Sequence, residues 1–169
     1  MGATFASFDE LLIERVFQPA CDLLAERFGV TRASAAGFCL DVASLGWIVA
    51  RVPRLSKEVA DWDATAASLH LLILLLGLLA LTGLRTLFRR QAGRGAGRQA
   101  NPLRQTMRPH RAVLLLMLIA RLAQFQAPGV AEFADMAMLL AATAALYLGA
   151  CAERPPVHRS LFATAPSVS

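Results

Sequence analysis

The stretch between Asp63 and Arg85 constrains the fold of this chain more than any other feature. It holds 21 consecutive residues without a formal charge, including the run LHLLILLLGLLALTGL. As an α-helix these residues would extend about 31 Å, which matches the thickness of the hydrocarbon core of a bilayer. The sequence therefore predicts a transmembrane helix over residues 64–84.

Three further segments have the same character. Residues 136–152 are 17 uncharged residues rich in Ala, Leu and Met, and the apolar stretch extends outward to residue 131. Residues 33–52 and 112–127 are apolar except for one charge near the middle of each, Asp41 and Arg121. The overall composition agrees, since 56% hydrophobic and 17% charged residues are unusual in a soluble domain. We therefore expect an all-α integral membrane bundle of four transmembrane helices, at about 33–52, 64–84, 112–127 and 131–152.

The distribution of Arg and Lys predicts the orientation of these spans. With the N-terminus placed in the cytoplasm, 13 basic residues fall in inside segments and three in outside loops. Loops near spans carry their basic residues on the cytoplasmic side. We expect a multi-pass protein of a bacterial inner membrane with both termini cytoplasmic. Its organisation would be a cytoplasmic segment over 1–32, a membrane domain over 33–152 and a cytoplasmic tail over 153–169.

The predicted cytoplasmic loop over 85–111 carries eight Arg and no acidic residue. One interpretation is contact with anionic lipid headgroups. The simpler interpretation, which we favour, is that the charge only sets the orientation of the spans. Nucleic acid is not expected as a partner. The candidate lipid contacts are Arg85, Arg89, Arg90, Arg94 and Arg98.

The N-terminal segment over 7–28 has the pattern of an amphipathic helix, which we expect Pro19 to divide into two short helices. Its five acidic and two basic residues give a net charge of −3, which disfavours binding to anionic lipid. We prefer packing against the basic loop of the same chain or against a partner. An entry helix lying at the membrane surface is an equally good interpretation.

Asp41 and Arg121 form the candidate polar pair of the membrane domain. Counted along their predicted helices, the two residues lie at about 13.5 Å and 15 Å depth, so they are level with each other. An unpaired charge at the centre of a span costs about 2.5 to 3.5 kcal/mol, and pairing would relieve this cost. The pair is either a lock between helices, which we favour, or a substrate or proton site.

His70 lies just inside the second span, with Gln124 and Asp135 as potential polar neighbours. This group could bind a metal or relay protons, but a histidine satisfied by a nearby backbone or side-chain group is the commoner case. The chain has three widely spaced cysteines, which predict neither a disulfide framework nor a zinc site and which we interpret as small apolar fillers. We expect no metal and no cofactor.

Small residues recur every four positions in the last span. Such a ridge lets another helix approach closely, within the bundle or in a second copy of the chain, and we favour the bundle. Gly37 belongs to a similar stripe on the first span. The candidate helix-packing residues are Gly37, Ala137, Ala141, Ala145 and Gly149.

The function predicted from these patterns is non-catalytic, because no constellation of nucleophile, base, metal ligand or cofactor motif is recognisable. We expect an accessory, scaffold or assembly subunit that contacts the lipid bilayer and either a membrane protein partner or further copies of itself. The alternative is a small oligomeric carrier or proton-coupled channel that uses Asp41 and Arg121. A membrane enzyme ranks third.

Overall fold

The computed structural model describes residues 2–92, 102–124 and 129–152, and within these ranges the secondary structure is entirely helical. Arg94, Arg98, residues 125–127 of the third predicted span and the tail over 153–169 lie outside the described residues. In chain order the elements are α1 (Gly2–Leu12), a π-helical turn (Ile13–Phe17), α2 (Gln18–Phe28), α3 (Arg32–Ala60), α4 (Ala64–Ala92), α5 (Pro102–Thr106), α6 (Arg108–Ala123) and α7 (Val130–Ala150).

The N-terminal segment is one continuous helical stretch with a π turn inside it. Pro19 has no N–H and its ring cannot be packed against the preceding turn of a regular α-helix. The wider π turn over Ile13–Phe17 directly precedes it, and Gln18 donates its backbone N–H to the Ile13 carbonyl. The segment is therefore not broken at Pro19 as expected, because the helix widens into a π turn just before this residue. The stretch ends at Gly29, whose φ of 63° is the left-handed cap that favours glycine.

The core of the membrane domain lies between α3 and α7, which run antiparallel. Ala36, Leu40 and Ala43 of α3 are buried, as is most of the second half of α7. At Gly46 the two backbones approach so closely that an added Cβ would lie 2.8 Å from the Ala134 carbonyl oxygen. Small residues on α3 therefore permit the central helix contact of the fold.

The α4 helix packs against α3, and Trp47 is a large side chain at their contact. The Trp47 ring lies over Gly77, and its Nε1 donates to the Leu74 carbonyl at 3.1 Å. Phe88 is the buried residue among the described side chains of α4. Most leucines of this helix are exposed, including Leu69, Leu71, Leu72, Leu75, Leu76 and Leu79.

The α6 helix packs mainly against α7, with Leu118 in a hydrophobic cluster with Met138 and Leu139. It contains 16 residues, or about 24 Å of helix, and is shorter than α3, α4 and α7. Three described helices are long and apolar enough to cross a membrane: Arg32–Ala60, Ala64–Arg90 and Val130–Ala150. The first of these continues through Pro53 and is nine residues longer than the predicted span over 33–52.

Four helix ends meet at one end of the bundle. The Arg32 guanidinium at the start of α3 donates to the Cys151 carbonyl just after α7. The Phe88 ring near the end of α4 lies against Gly149 of α7. The start of α6 contacts the same region through Arg111, whose guanidinium carbon lies 5.5 Å from the centre of the Tyr147 ring. The N-terminal segment docks at this end.

Candidate functional site

Two charged side chains are almost wholly buried where the N-terminal segment docks. Arg111 is 0% exposed and Asp9 is 1% exposed. Asp9 lies on α1, one turn before the π turn, and Arg111 lies in the first turn of α6, just after Pro109. The first turn of α6 thus carries the arginine directly into the junction between the two helices.

The two side chains form a bidentate ion pair. Arg111 donates from Nε to Asp9 Oδ1 at 3.0 Å and from Nη2 to Oδ2 at 2.5 Å. Its remaining donors reach the carbonyl oxygens of Arg104 at 2.8 Å and Leu103 at 3.4 Å. Each nitrogen of the guanidinium is therefore engaged by the chain itself, which is what a buried arginine requires. Because neither side chain is open to solvent, the pair acts as a lock between α1 and α6.

Two aromatic rings cover this pair. The Tyr147 ring stacks on Phe17 with the centroids 4.8 Å apart and an interplanar angle of 11°. Phe17 is the last residue of the π turn, so the widened turn presents its ring to α7. The stack and the ion pair together join the N-terminal segment, α6 and α7.

Weaker ion pairs surround the buried one. Arg104 Nη2 lies 2.8 Å from Glu14 Oε1, and Arg108 Nε lies 3.8 Å from Asp9 Oδ2. The acidic segment therefore contacts the basic region that follows α4 in sequence, which is the contact that its net charge suggested. Sequence analysis did not identify Asp9 or Arg111 as special, because opposite charge predicts that two segments meet but not which pair is buried.

The structure does not bring Asp41 and Arg121 together. Arg85 of α4 is the ion-pair partner of Asp41, and Asp135 of α7 is the partner of Arg121, with 3.2 Å between Arg121 Nη2 and Asp135 Oδ2. The expected pairing is not seen, because α3 and α6 each pack mainly on α7. Arg85 lies opposite Asp41 across the α3–α4 hairpin, in the register that also places Glu58 beside His70.

The Arg85–Asp41 pair differs from the buried lock in its surroundings. The Arg85 side chain is 37% exposed and that of Asp41 is 47% exposed. Both residues lie within helices that are apolar enough to cross a membrane. The pair joins α3 to α4 on a surface otherwise occupied by exposed hydrophobic side chains such as Phe38 and Leu45.

His70 pairs with Glu58 of α3 across the far end of the α3–α4 hairpin. Its Nδ1 lies 2.7 Å from Glu58 Oε2 and 3.2 Å from the Ala66 carbonyl oxygen. Both of these are acceptors, so the Nδ1–H tautomer serves either one. Asp135 is engaged by Arg121 instead, and Gln124 lies at the end of α6, where its backbone N–H bonds to the Ala120 carbonyl. None of the described contacts joins the three residues into one group.

The small residues proposed for helix packing have different surroundings. Ala145 is fully buried, and Gly149 accommodates the Phe88 ring, which an added Cβ would meet at 2.6 Å. Ala137 and Ala141 are half-buried on the same helix. At Gly37 a Cβ would have no described atom within 4 Å, so the structure gives this glycine no packing role. Gly46 and Gly77 also have close neighbours, and sequence analysis did not select them because single glycines in apolar helices are common.

The candidate lipid-contacting arginines also separate into two kinds. Arg85 is paired with Asp41, whereas Arg89 and Arg90 are exposed near the end of α4. Arg94 and Arg98 lie outside the described residues. Within residues 2–92, 102–124 and 129–152, no group of three or more His, Cys, Asp or Glu side chains is arranged to hold a metal ion.

In comparisons with known proteins, no family model, no curated protein and no solved structure matches this chain.

Proposed function

We propose that the chain is a four-span protein of a bacterial inner membrane that acts as a non-catalytic accessory, scaffold or assembly subunit. The four-span topology is supported by the contact between α3 and α7, and the accessory role by the surface of α4.

The contact between the start of α3 and the end of α7 supports four crossings. Three crossings would leave these two ends on opposite sides of the membrane, yet Arg32 donates to the Cys151 carbonyl. An even number is therefore needed, and α6 is the helix available for the fourth. Its length of about 24 Å is shorter than a typical hydrocarbon core of about 30 Å, a mismatch that local thinning of the bilayer accommodates. The amphipathic N-terminal segment would then lie in the cytoplasm, where Arg89 and Arg90 would meet anionic headgroups.

Topology can be tested by labelling single cysteines in intact cells with a membrane-impermeant maleimide, in a background with the native cysteines replaced. We expect labelling at position 62, whose native Trp is 93% exposed in the turn between α3 and α4. A cysteine at position 90 should be labelled only after the membrane is permeabilised. Labelling of both positions in intact cells would contradict the proposed topology.

The observation that carries the proposed role is the surface of α4. Its described side chains contribute almost nothing to the core, and an ion pair lies beside the exposed leucines. Lipid chains offer no hydrogen bonds to a half-exposed arginine and aspartate within a span, whereas a helix of another subunit can supply them. Each nitrogen of the buried Arg111 guanidinium is hydrogen-bonded within the chain, so the junction does not favour a catalytic role over the accessory one.

The role is tested by purification in mild detergent, with particle mass and copurifying proteins measured together. We expect a stoichiometric partner that is lost when Leu75 and Leu79 are both changed to Trp, because these exposed positions can be enlarged without disturbing the core. The matched control is Leu116→Trp with Leu122→Trp on the exposed side of α6, which should retain the partner. A homo-oligomer without a partner would contradict the accessory role and favour a carrier.

A further inference from the structure

Cys21 of α2 and Cys151 at the end of α7 are separated by most of the sequence but are brought together in the fold. Both belong to one buried cluster, with exposed fractions of 7% and 0%. Both are thiols and are not joined by a disulfide. The Cys151 thiol has two acceptors within reach, the sulfur of Cys21 and the Tyr147 carbonyl oxygen, which lies 3.4 Å away.

Hydrogen bonds that involve neither thiol hold the backbone around Cys151 against α2. Gln18, one turn before Cys21, donates from Nε2 to the Ala152 carbonyl at 3.2 Å and accepts the Ala152 N–H at Oε1 at 2.9 Å. Arg32 donates to the carbonyl of Cys151 from the opposite side. The backbone that carries Cys151 is thereby held against α2 by contacts that do not involve either thiol.

The two thiols are electrostatically unequal. The hydrogen bond from Cys151 lowers the pKa of the Cys21 thiol, and the same bond, together with burial, raises the pKa of Cys151. Arg32 acts on both groups in the direction that favours a thiolate, while Asp22 opposes it. A proton shared between two sulfurs occupies the position that a small cation bridging them would take.

The ligand set limits the kind of ion that this position would accept. Zn²⁺ requires four ligands in a structural site, and a third cysteine, histidine or carboxylate is not grouped with these two among the described residues. Thiolates are soft ligands and select soft ions such as Cu⁺. A monovalent ion held by two thiolates would leave one net negative charge, and Arg32 is the nearby cation that favours it.

We propose that Cys21 and Cys151 form a buried two-thiolate binding site for a soft monovalent metal ion of the Cu⁺ class. Binding releases the two thiol protons and forms two metal–sulfur bonds, so neither sulfur is oxidised or reduced. The site joins the N-terminal segment to the end of α7. It is independent of the accessory role proposed above, since it uses neither α4 nor a second chain.

The test is an anaerobic titration of the full-length chain in detergent with Cu⁺, kept reduced by ascorbate and buffered by a chromogenic Cu⁺ chelator. We expect one equivalent bound per chain by the native protein and by Cys39→Ser, the matched control. Cys21→Ser and Cys151→Ser should each lose stoichiometric binding while eluting from size-exclusion chromatography as the native chain does. Retention of binding in either variant, or its loss in Cys39→Ser alone, would overturn the proposal.

A second measurement on the native chain removes the dependence on variants that fold poorly. The three cysteines are alkylated with and without Cu⁺, and the modified peptides are quantified by mass spectrometry. Cu⁺ should protect Cys21 and Cys151 together and leave the alkylation of Cys39 unchanged. Equal alkylation of Cys21 with and without the metal would rule the site out.

Discussion

Two ion pairs of this chain have opposite surroundings, one at the junction where the N-terminal segment docks and one beside the exposed leucines of α4. At the junction, Arg111 and Asp9 are excluded from solvent, and each nitrogen of the arginine is hydrogen-bonded within the chain. Beside α4, Arg85 and Asp41 form an ion pair that remains more than a third exposed, on helices apolar enough to cross a membrane. The first pair is enclosed by its own chain, whereas the second leaves the polar surface that, in the function proposed above, a helix of another subunit would cover. The degree of burial, more than the presence of an ion pair, distinguishes the two regions.

The largest effect is expected from breaking the buried lock. Arg111→Met leaves Asp9 buried without its partner, and losing one member of a buried pair costs about 3 to 5 kcal/mol. Equilibrium unfolding in detergent should measure this loss of stability. Arg108→Met is the matched control, since its guanidinium lies 3.8 Å from Asp9 and is partly exposed, and it should cost less than about 1 kcal/mol.

The double change Asp9→Leu with Arg111→Met sharpens that result. Removing both charges avoids the unpaired buried carboxylate, so most of the stability should return. If the double variant were as unstable as Arg111→Met, the lock would not explain the docking of the N-terminal segment.

A charge reversal should come next in size and decides between two partners for Asp41. Asp41→Arg replaces the ion pair with two adjacent like charges, so the yield of folded protein should fall, although less than for the buried Arg111→Met because the site is more than a third exposed. Arg85→Asp should restore the yield of folded protein, measured by fluorescence-detected size-exclusion chromatography. Arg121→Asp in the same background should give no recovery, and recovery there would revive the pairing expected from depth alone.

A smaller effect is expected from two glycines of the same helix. Gly46→Ala introduces a Cβ at 2.8 Å from the Ala134 carbonyl oxygen, and such overpacking costs about 1 to 3 kcal/mol. Gly37→Ala meets no described atom within 4 Å and should stabilise α3 by up to about 1 kcal/mol through helix propensity. Thermal unfolding of both variants checks the signs. Equal destabilisation would show that α3 is packed alike on both faces.

The smallest effect is expected at the far end of the α3–α4 hairpin. Glu58→Gln removes the charge facing His70, and both side chains are about a quarter exposed. Ion pairs of this kind contribute about 0.2 to 1 kcal/mol, so the melting temperature should fall only slightly. A loss of stability as large as that expected for Arg111→Met would mean that Glu58 and His70 also belong to a fully hydrogen-bonded polar cluster.

The apolar runs predicted the all-helical fold and three of the helices well, because hydrophobic length alone makes residues 64–84 a span. The length of α3 was underestimated, since Pro53 is tolerated inside it and does not end it. The partner of Asp41 could not be predicted, because depth along a helix gives a level and not the neighbouring helix. The burial of Asp9 could not be predicted either, since nothing in the neighbouring sequence distinguishes it from the exposed acidic residues of the same segment.

The buried lock also sets an order of events during synthesis. Asp9 and Arg111 are 102 residues apart, so at about 5 to 20 residues per second the ribosome adds the arginine roughly 5 to 20 seconds after the aspartate. During that interval α3 and α4 can already leave the translocon as a hairpin, held by Trp47 over Gly77. The N-terminal segment therefore completes its docking only after α6 has been made, and its contacts with the end of α7 through Phe17 and Gln18 form later still.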